Sequence, residues 1–564
     1  MGFALRYIGV LFAVALFVYA PALTNGFAFD DLIHISNNPL LTPKIEWLRI
    51  WTSPMYPGDL YRPLVTASYA ATSTLFGLNA WIFHFDNVLL HAANAALLFA
   101  LIGPVLGANC SLFFALIFLM HPLHTEAVAN ISGRAELLSA FFVLSTLVLV
   151  QHISSLAWKP KHLLLLPLIG LSFLAGVHSK ESAYVVLLLS PLVVGMQNRS
   201  KLKTPGFICS MLLLGFLSVA ALWWRMQVIP SHTLGVSADI ALDNPLVELS
   251  PLRRIGIALS LVGFGISKAI FPLPLSADYS ASFFPVSNFW SYHLSWLWLV
   301  VLAAFLFLLK PSKKFPELSF FVAWTFLSLA VTSNIIMPIG TIFAERLWYL
   351  PSIGVIGALV VVGHKLLNRA GAVVIGLFVI VVWAHLTRSH VPNWRDNTSL
   401  FSYQIKVAAQ SAKTQYNYAI SLRNEGDFDE AAIHFRQALE LYPPYADAAY
   451  GLATVYAHKG IEGGARHWLA EALQRNQNHV ASLCLLARIQ FNSGNLAVAE
   501  KLFEQALSLE PQSSDASLGL FALYIQQKDL SRAQKLYDKL LTMSPRHPEL
   551  AKIEKGLLEL QHAS

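Results

Sequence analysis

Charge is what this sequence has least of. Asp, Glu, Lys and Arg make up 13% of its 564 residues while 55% are hydrophobic, and a soluble domain carries about 25% charged residues. With a mean hydropathy of +0.55, that shortage excludes an ordinary soluble enzyme, and most of the chain takes lipid as its solvent. Cysteine is scarce too. Cys110, Cys209 and Cys484 stand far apart, the first two in apolar runs, which excludes a disulfide framework and a thiolate metal site. No basic block is gathered on one domain, so the net charge of +7 points to membrane topology and not to nucleic acid.

What is present is a series of apolar runs. A spanning helix needs roughly 20 mainly apolar residues, and candidates lie at 4–24, 84–104, 108–121, 135–156, 162–177, 182–197, 206–225, 252–271, 291–309, 318–336, 350–364 and 371–387. The first is read as a span and not as a cleaved signal, because so many like it follow. Basic residues of short loops mark the cytoplasmic side: Lys159 and Lys161; Arg199, Lys201 and Lys203; Lys310, Lys313 and Lys314; Lys365 and Arg369. All four loops fall inside if 252–271, which opens with Arg253 and Arg254, is re-entrant. About eleven crossings result, with the C-terminus outside.

The outer loops then collect the polar clusters. Asp30 and Asp31 follow the first span, and adjacent carboxylates at a membrane edge are costly enough to mark function. They suit a general base for an acceptor hydroxyl, a divalent-cation site, or a plain helix end. His121, His124 and Glu126, and then Arg134 and Glu136, occupy the second outer loop. Lys180 with Glu181, Asp278, and Glu345 with Arg346 follow. Arg134, Lys180 and Arg346 suit a phosphate, the alternative being salt bridges to Glu136, Glu181 and Glu345. His121 and His124 do not have a zinc spacing. His84, Asn87, His91 and Asn94 share one face of a membrane helix, which must turn inward, either to a donor cavity or to structural hydrogen bonds.

Beyond the polar stretch Asn393 to Asp396 the pattern changes. Ala431, Ala465, Ala499 and Ala533 recur every 34 residues, with Phe435, Leu469, Phe503 and Tyr537 four positions later and Gly426, Gly460 and Gly494 at the turns. That period is the tetratricopeptide signature. The expected domains are a multi-span unit at 1–390, a hinge at 391–411, four repeats at 412–547 and a capping helix at 548–564.

The motifs Phe29-Asp30-Asp31, His121-Pro122-x-His124-Thr125-Glu126, Gly133-Arg134-Ala135-Glu136, Lys180-Glu181 and Ala344-Glu345-Arg346-x-x-Tyr349, followed by tandem repeats, closely resemble the transmembrane and tetratricopeptide-repeat O-mannosyltransferases. The resemblance implies an all-α fold: a polytopic C-type glycosyltransferase-like bundle of about eleven spans and a tetratricopeptide α-solenoid. It implies transfer of a sugar, mannose in that family, from a polyprenyl-phosphate donor to Ser or Thr hydroxyls of proteins outside the cytoplasm. Asp30 is then the base, with Asp31 orienting acceptor or cation. Arg134, Arg346 and Lys180 hold the donor phosphate, while His91, His121, His124, Glu126, Glu136 and Glu345 line the site. The partners are a dolichyl- or undecaprenyl-linked sugar, an acceptor polypeptide on the repeats, and the membrane, with no nucleic acid. No cofactor is assigned, and a divalent cation stays open. The compartment is a bacterial inner membrane with periplasmic repeats, or endoplasmic reticulum with lumenal ones. The rival reading is a membrane-anchored scaffold without catalysis. It leaves the concentration of charged residues on one side unexplained.

Overall fold

The computed structural model describes residues 2–41, 45–58, 60–229, 238–280, 282–284, 286, 295–309, 315–543 and 549–563. Lys310, Lys313 and Lys314, one of the basic loops, lie outside the described residues, as do both ends of the expected capping segment 548–564. Every named element among the described residues is helical. The chain divides into two compact units, Met1–Ala408 and Ala409–Ser564.

Among the described residues of the first unit, six helices are long and apolar enough to cross a bilayer: Arg6–Thr24, Ala80–Leu106, Ile131–Ser155, Pro160–Val177, Pro205–Val228 and Ala370–Trp394. A seventh crossing is available to the pair Ala108–Leu119 and Pro122–Ala129, bent by 55°. Several of the expected runs fall short of that length. Glu181–Gln197 and Pro351–Leu366 are shorter apolar helices, and the helix from Pro316 ends at Ser328, so helix length alone accounts for fewer than eleven crossings. Pro251–Ile270 is one continuous helix outside the set of six. It carries Arg253, Arg254 and Lys268, and packs Ile257, Leu261 and Phe264 against Tyr279, Phe343 and Trp348. Gly265 lets it approach: a Cβ there would stand 1.9 Å from the Trp348 ring.

The ends of the first and last long spans meet. Asn25 Nδ2 donates to the Val391 carbonyl at 3.1 Å, and the Gly26 N–H donates to the Arg395 carbonyl at 2.8 Å. Both helices therefore run in the same direction. Residues 391–408 of the stretch expected as a hinge fall within this unit. Trp394 is buried, and Asn397–Val407 is a helix that buries Leu400, Phe401 and Gln404.

Between the first two spans the chain is well packed. Leu32–Ser36, Trp47–Thr52 and Pro63–Phe76 are helical and enclose a core of Ile35, Leu41, Ile50, Val65 and Tyr69 with Phe83 and Ile131.

The second unit is four helix pairs and a last helix. The pairs are Ala412–Glu425 with Phe428–Leu441, Ala446–His458 with Glu462–Arg475, Val480–Asn492 with Leu496–Leu509, and Ser514–Gln526 with Leu530–Met543; Leu550–Ala563 follows. Ala431, Ala465, Ala499 and Ala533 are fully buried, as the small residue at a close helix contact must be. Side-chain volumes compensate from repeat to repeat. Phe435 and Phe503 each face a glycine, Gly451 and Gly519, where a Cβ would meet ring atoms at 2.3 Å, whereas the smaller Leu469 packs in one cluster with Leu485. Gly426, Gly460 and Gly494 close the first helices at φ of +88°, +72° and +80°, the left-handed geometry that lacks a steric cost only for glycine.

Candidate functional site

Asp30 and Asp31 enter the site on a segment clamped from both sides. Phe29 stands at φ +54°, and its N–H donates to Asn397 Oδ1 at 2.7 Å. The Gly26 carbonyl, just before, accepts from His84 Nε2 at 3.1 Å. This turn sends the two carboxylates in different directions.

Asp31 is buried and fully engaged. Its Oδ1 accepts the Ser132 N–H at 2.7 Å and the Ser132 hydroxyl at 2.9 Å, and its Oδ2 accepts the N–H groups of Ile131 at 3.3 Å and Ala28 at 3.4 Å. Burial pushes its carboxyl up to about 7, against the lowering effect of the Ser132 and Ala28 hydrogen bonds. Asp31, expected to orient acceptor or cation, ties the loop after the first long helix to the segment around Ser132. Asp30 differs. It is half-buried, and its carboxylate makes no hydrogen bond to any described residue.

Around Asp30 the structure assembles charges from four loops. Glu126, buried on the short helix Thr125–Ala129, accepts the backbone N–H of Arg346 at 2.8 Å and pairs with its guanidinium. Burial works against the charge on Arg346. Glu126, and next Asp30, outweigh it and hold the guanidinium protonated. Lys180 pairs with Glu136; burial pulls its ammonium below the ordinary value, Glu136 opposing, and it also feels Arg62 and Arg346. Glu181 accepts from Arg62 Nη2 at 2.8 Å and from Arg225 Nη1 at 2.5 Å. These groups form one charged seam from Asp30 to Arg225.

The pairing differs from the alternative drawn from sequence neighbours. Arg134 does not bridge to Glu136, Lys180 does not bridge to Glu181, and Arg346 does not bridge to Glu345. Each cation reaches a carboxylate distant in the chain, because neighbours at a helix start point around the axis and not at each other.

Several expected site residues turn out to be supports. Arg134 is 2% exposed. Its Nε donates to Asn87 Oδ1 at 3.0 Å and its Nη2 to the Phe83 carbonyl at 2.9 Å, with Asp86 at 3.3 Å. The guanidinium also lies over the Tyr69 and Phe83 rings, so its position does not suit a phosphate. Gly133 before it is required by contact, since a Cβ would lie 2.3 Å from the Ala127 carbonyl. His121, His124 and His91 are all fully buried. His121 bonds the Ala269 carbonyl at 2.8 Å and the Leu123 N–H at 3.1 Å. His124 bonds the Phe118 carbonyl at 2.8 Å and Ser352 at 2.9 Å. His91 bonds Tyr349 at 2.6 Å and the Leu119 carbonyl at 3.0 Å. They fasten helices and do not line an opening. Asn87 and Asn94 do the same, to the Ile131 carbonyl at 3.3 Å and the Leu137 carbonyl at 3.0 Å, so the polar stripe has the structural role. Glu345 is buried too. It accepts from Ser276 N–H at 2.8 Å and from the Tyr279 hydroxyl, and burial lifts it to about 8 against Lys268.

Among the described residues no group of three or more His, Cys, Asp or Glu is arranged to hold a metal ion. Sequence reasoning missed Arg225, which sits at the end of an apolar run without any motif, and left Arg62 outside the site.

Several known proteins of similar sequence are protein O-mannosyl-transferases by name. A tetratricopeptide-repeat profile matches residues 422–489 and 490–555. "Protein O-mannosyl-transferase TMTC3" of Mus musculus is 24% identical over 97% of this chain and 64% of its own length. "Protein O-mannosyl-transferase TMTC1" of Homo sapiens is 27% identical over 78% of this chain and 55% of its own. Over a shorter stretch, "Protein O-mannosyl-transferase TMTC2" of Mus musculus is 37% identical across 26% of this chain and 19% of its own. The chain thus spans less than two thirds of the length of each.

Proposed function

We propose that this chain, which belongs to the transmembrane and tetratricopeptide-repeat O-mannosyltransferase family, moves a sugar, mannose by analogy, from a polyprenyl-phosphate donor to Ser or Thr hydroxyls of a polypeptide. Asp30 is the base. As the acceptor oxygen bonds to the anomeric carbon, the sugar–phosphate bond breaks, the phosphate keeps the electron pair, and the hydroxyl proton passes to the Asp30 carboxylate. The observation that carries this reading is one of charge. Glu126, Glu136 and Glu181 each pair with a cation within the seam, while Asp30 is half-buried and forms no ion pair with any described residue.

The reaction occurs on the extracytoplasmic face, and the repeats present the acceptor there. Support comes from the meeting of Asn25 with Val391, which puts the exit of the last span at the same end of the bundle as Asp30. The stacked repeats offer the extended concave surface such a role needs.

The test is Asp30→Asn in the full chain, given a panel of polyprenyl-phosphate sugars and a Ser/Thr-rich peptide. The amide keeps size and removes basicity. Loss of general-base catalysis is typically about 100-fold to 10,000-fold, with unchanged thermal stability. Turnover near that of the unsubstituted chain rules out Asp30 as the base, and no transfer from any donor by the unsubstituted chain rules out the activity.

A further inference from the structure

Three cations were expected at the donor phosphate, and each already has a carboxylate of its own: Arg134 has Asp86, Arg346 has Glu126, and Lys180 has Glu136. None brings excess charge. The remaining cluster does, because Arg62 and Arg225 share the single carboxylate of Glu181. Arg62 spends Nε and Nη2 on Oε2, at 3.2 and 2.8 Å, and Arg225 spends Nη1 on Oε1 at 2.5 Å. Arg62 Nη1 and Arg225 Nε and Nη2 donate to no described residue. The two side chains are 17% and 28% exposed, so these donors are reachable from outside.

The cluster is also rigidly placed, at a depth that suits a lipid phosphate. Arg225 lies in the last turn of Pro205–Val228, beside the exposed Trp223 and Trp224, the residue type that marks headgroup level. Trp224 Nε1 donates to the Tyr61 hydroxyl at 2.8 Å, and that hydroxyl donates to the Trp51 carbonyl at 2.8 Å. The Leu64 N–H bonds the His178 carbonyl at 3.2 Å. The chain segments that carry the two arginines are therefore held by contacts other than Glu181.

Resting on the glycosyl-transfer reading above, we propose that Arg62 and Arg225, bridged by Glu181, bind the phosphodiester of the polyprenyl-linked donor. The unsatisfied charge of the cluster matches the single negative charge of a phosphodiester, and guanidinium forks suit its paired oxygens. When the sugar–phosphate bond breaks, the electron pair stays on the phosphate oxygen and a second negative charge develops. The free N–H groups are available to meet it. The seam is then polarised, with a proton acceptor at the Asp30 end and a phosphate clamp at the Arg225 end.

The experiment measures binding of undecaprenyl phosphate, the sugar-free lipid, to the full chain in detergent. Arg62→Gln and Arg225→Gln are each expected to weaken binding at least 10-fold. Glu181→Gln, which releases both guanidiniums, is expected to tighten it several-fold, a change that a purely structural ion pair does not produce. Unchanged affinity in both arginine variants, or no tightening in Glu181→Gln, overturns the proposal. Where a glutamine variant does not fold, Arg62→Lys and Arg225→Lys keep the charge and lose the fork, and an unchanged affinity in both is equally fatal. Full displacement by phosphatidylglycerol at equal mole fraction shows a general headgroup contact and also overturns it. Arginine-dependent binding by a protein that transfers no sugar overturns the reading under Proposed function and leaves the lipid-phosphate site standing.

Discussion

The carboxylate of Asp31 receives both the backbone N–H and the hydroxyl of Ser132, at 2.7 and 2.9 Å, across a separation of 101 residues. That pair of bonds closes the loop after the first long helix on the segment before Arg134 and leaves Asp30 as the less buried member of the acidic pair.

Replacing Asp31 is therefore a stability experiment. Asp31→Ala strands the Ser132, Ile131 and Ala28 donors in a buried place, and such losses cost about 2–5 kcal/mol, read as a lower melting temperature in detergent. The contribution also depends on pH. Burial raises the folded carboxyl to about 7, above an unfolded value near 4. The folded protein holds a proton that the unfolded chain releases, so the stabilisation is full below about pH 4 and is lost as pH rises to 7. The expected result is that the melting-temperature gap between Asp31→Asn and the unsubstituted chain shrinks across that window, and a gap that widens contradicts it.

Lys180 and Glu136 separate a structural pair from a phosphate ligand. Either residue changed alone to methionine leaves its partner buried and unpaired, at about 3–5 kcal/mol, whereas removing both charges together is often neutral or better. The double variant Lys180→Met with Glu136→Met is expected to recover the thermal stability lost in each single variant and to keep lipid-phosphate binding. Recovery of stability without binding returns Lys180 to the donor site.

In the repeats, Lys528 occupies the position 34 residues after Gly494 and adopts the same left-handed geometry, φ +55°. A side chain there costs about 1–2 kcal/mol, partly offset by the greater freedom of glycine in the unfolded chain. Lys528→Gly should raise the stability of the repeat unit by about 0.5–1 kcal/mol, visible in chemical denaturation. A loss of stability means that the lysine makes compensating contacts.

Ending the chain after Ala408 keeps the helix Asn397–Val407, whose Gln404 Oε1 accepts from Ser276 at 2.7 Å and whose Asn397 holds Phe29. Such a truncation should retain undecaprenyl-phosphate binding and lose transfer to a protein acceptor, while transfer to a short peptide survives. Truncation after Val391 removes those contacts and should abolish both, which binding and transfer assays run on the two shortened chains side by side decide.

Periodicity made the repeats legible, because a spacing of 34 must recur wherever one helix pair stacks on the next, and Ala431 and its equivalents are buried as that spacing requires. Apolar runs likewise announced the long membrane helices, and the mixed charges at their ends announced a site. The sequence could not say which cation serves which carboxylate. Lys180 chooses Glu136 over adjacent Glu181, and Arg346 chooses Glu126 over adjacent Glu345, because chain neighbours diverge around a helix while packing brings distant loops within reach. Nor could it part Asp30 from Asp31. Two identical carboxylates side by side differ only through the turn at Phe29, which buries one beneath Ser132 and leaves the other half-buried.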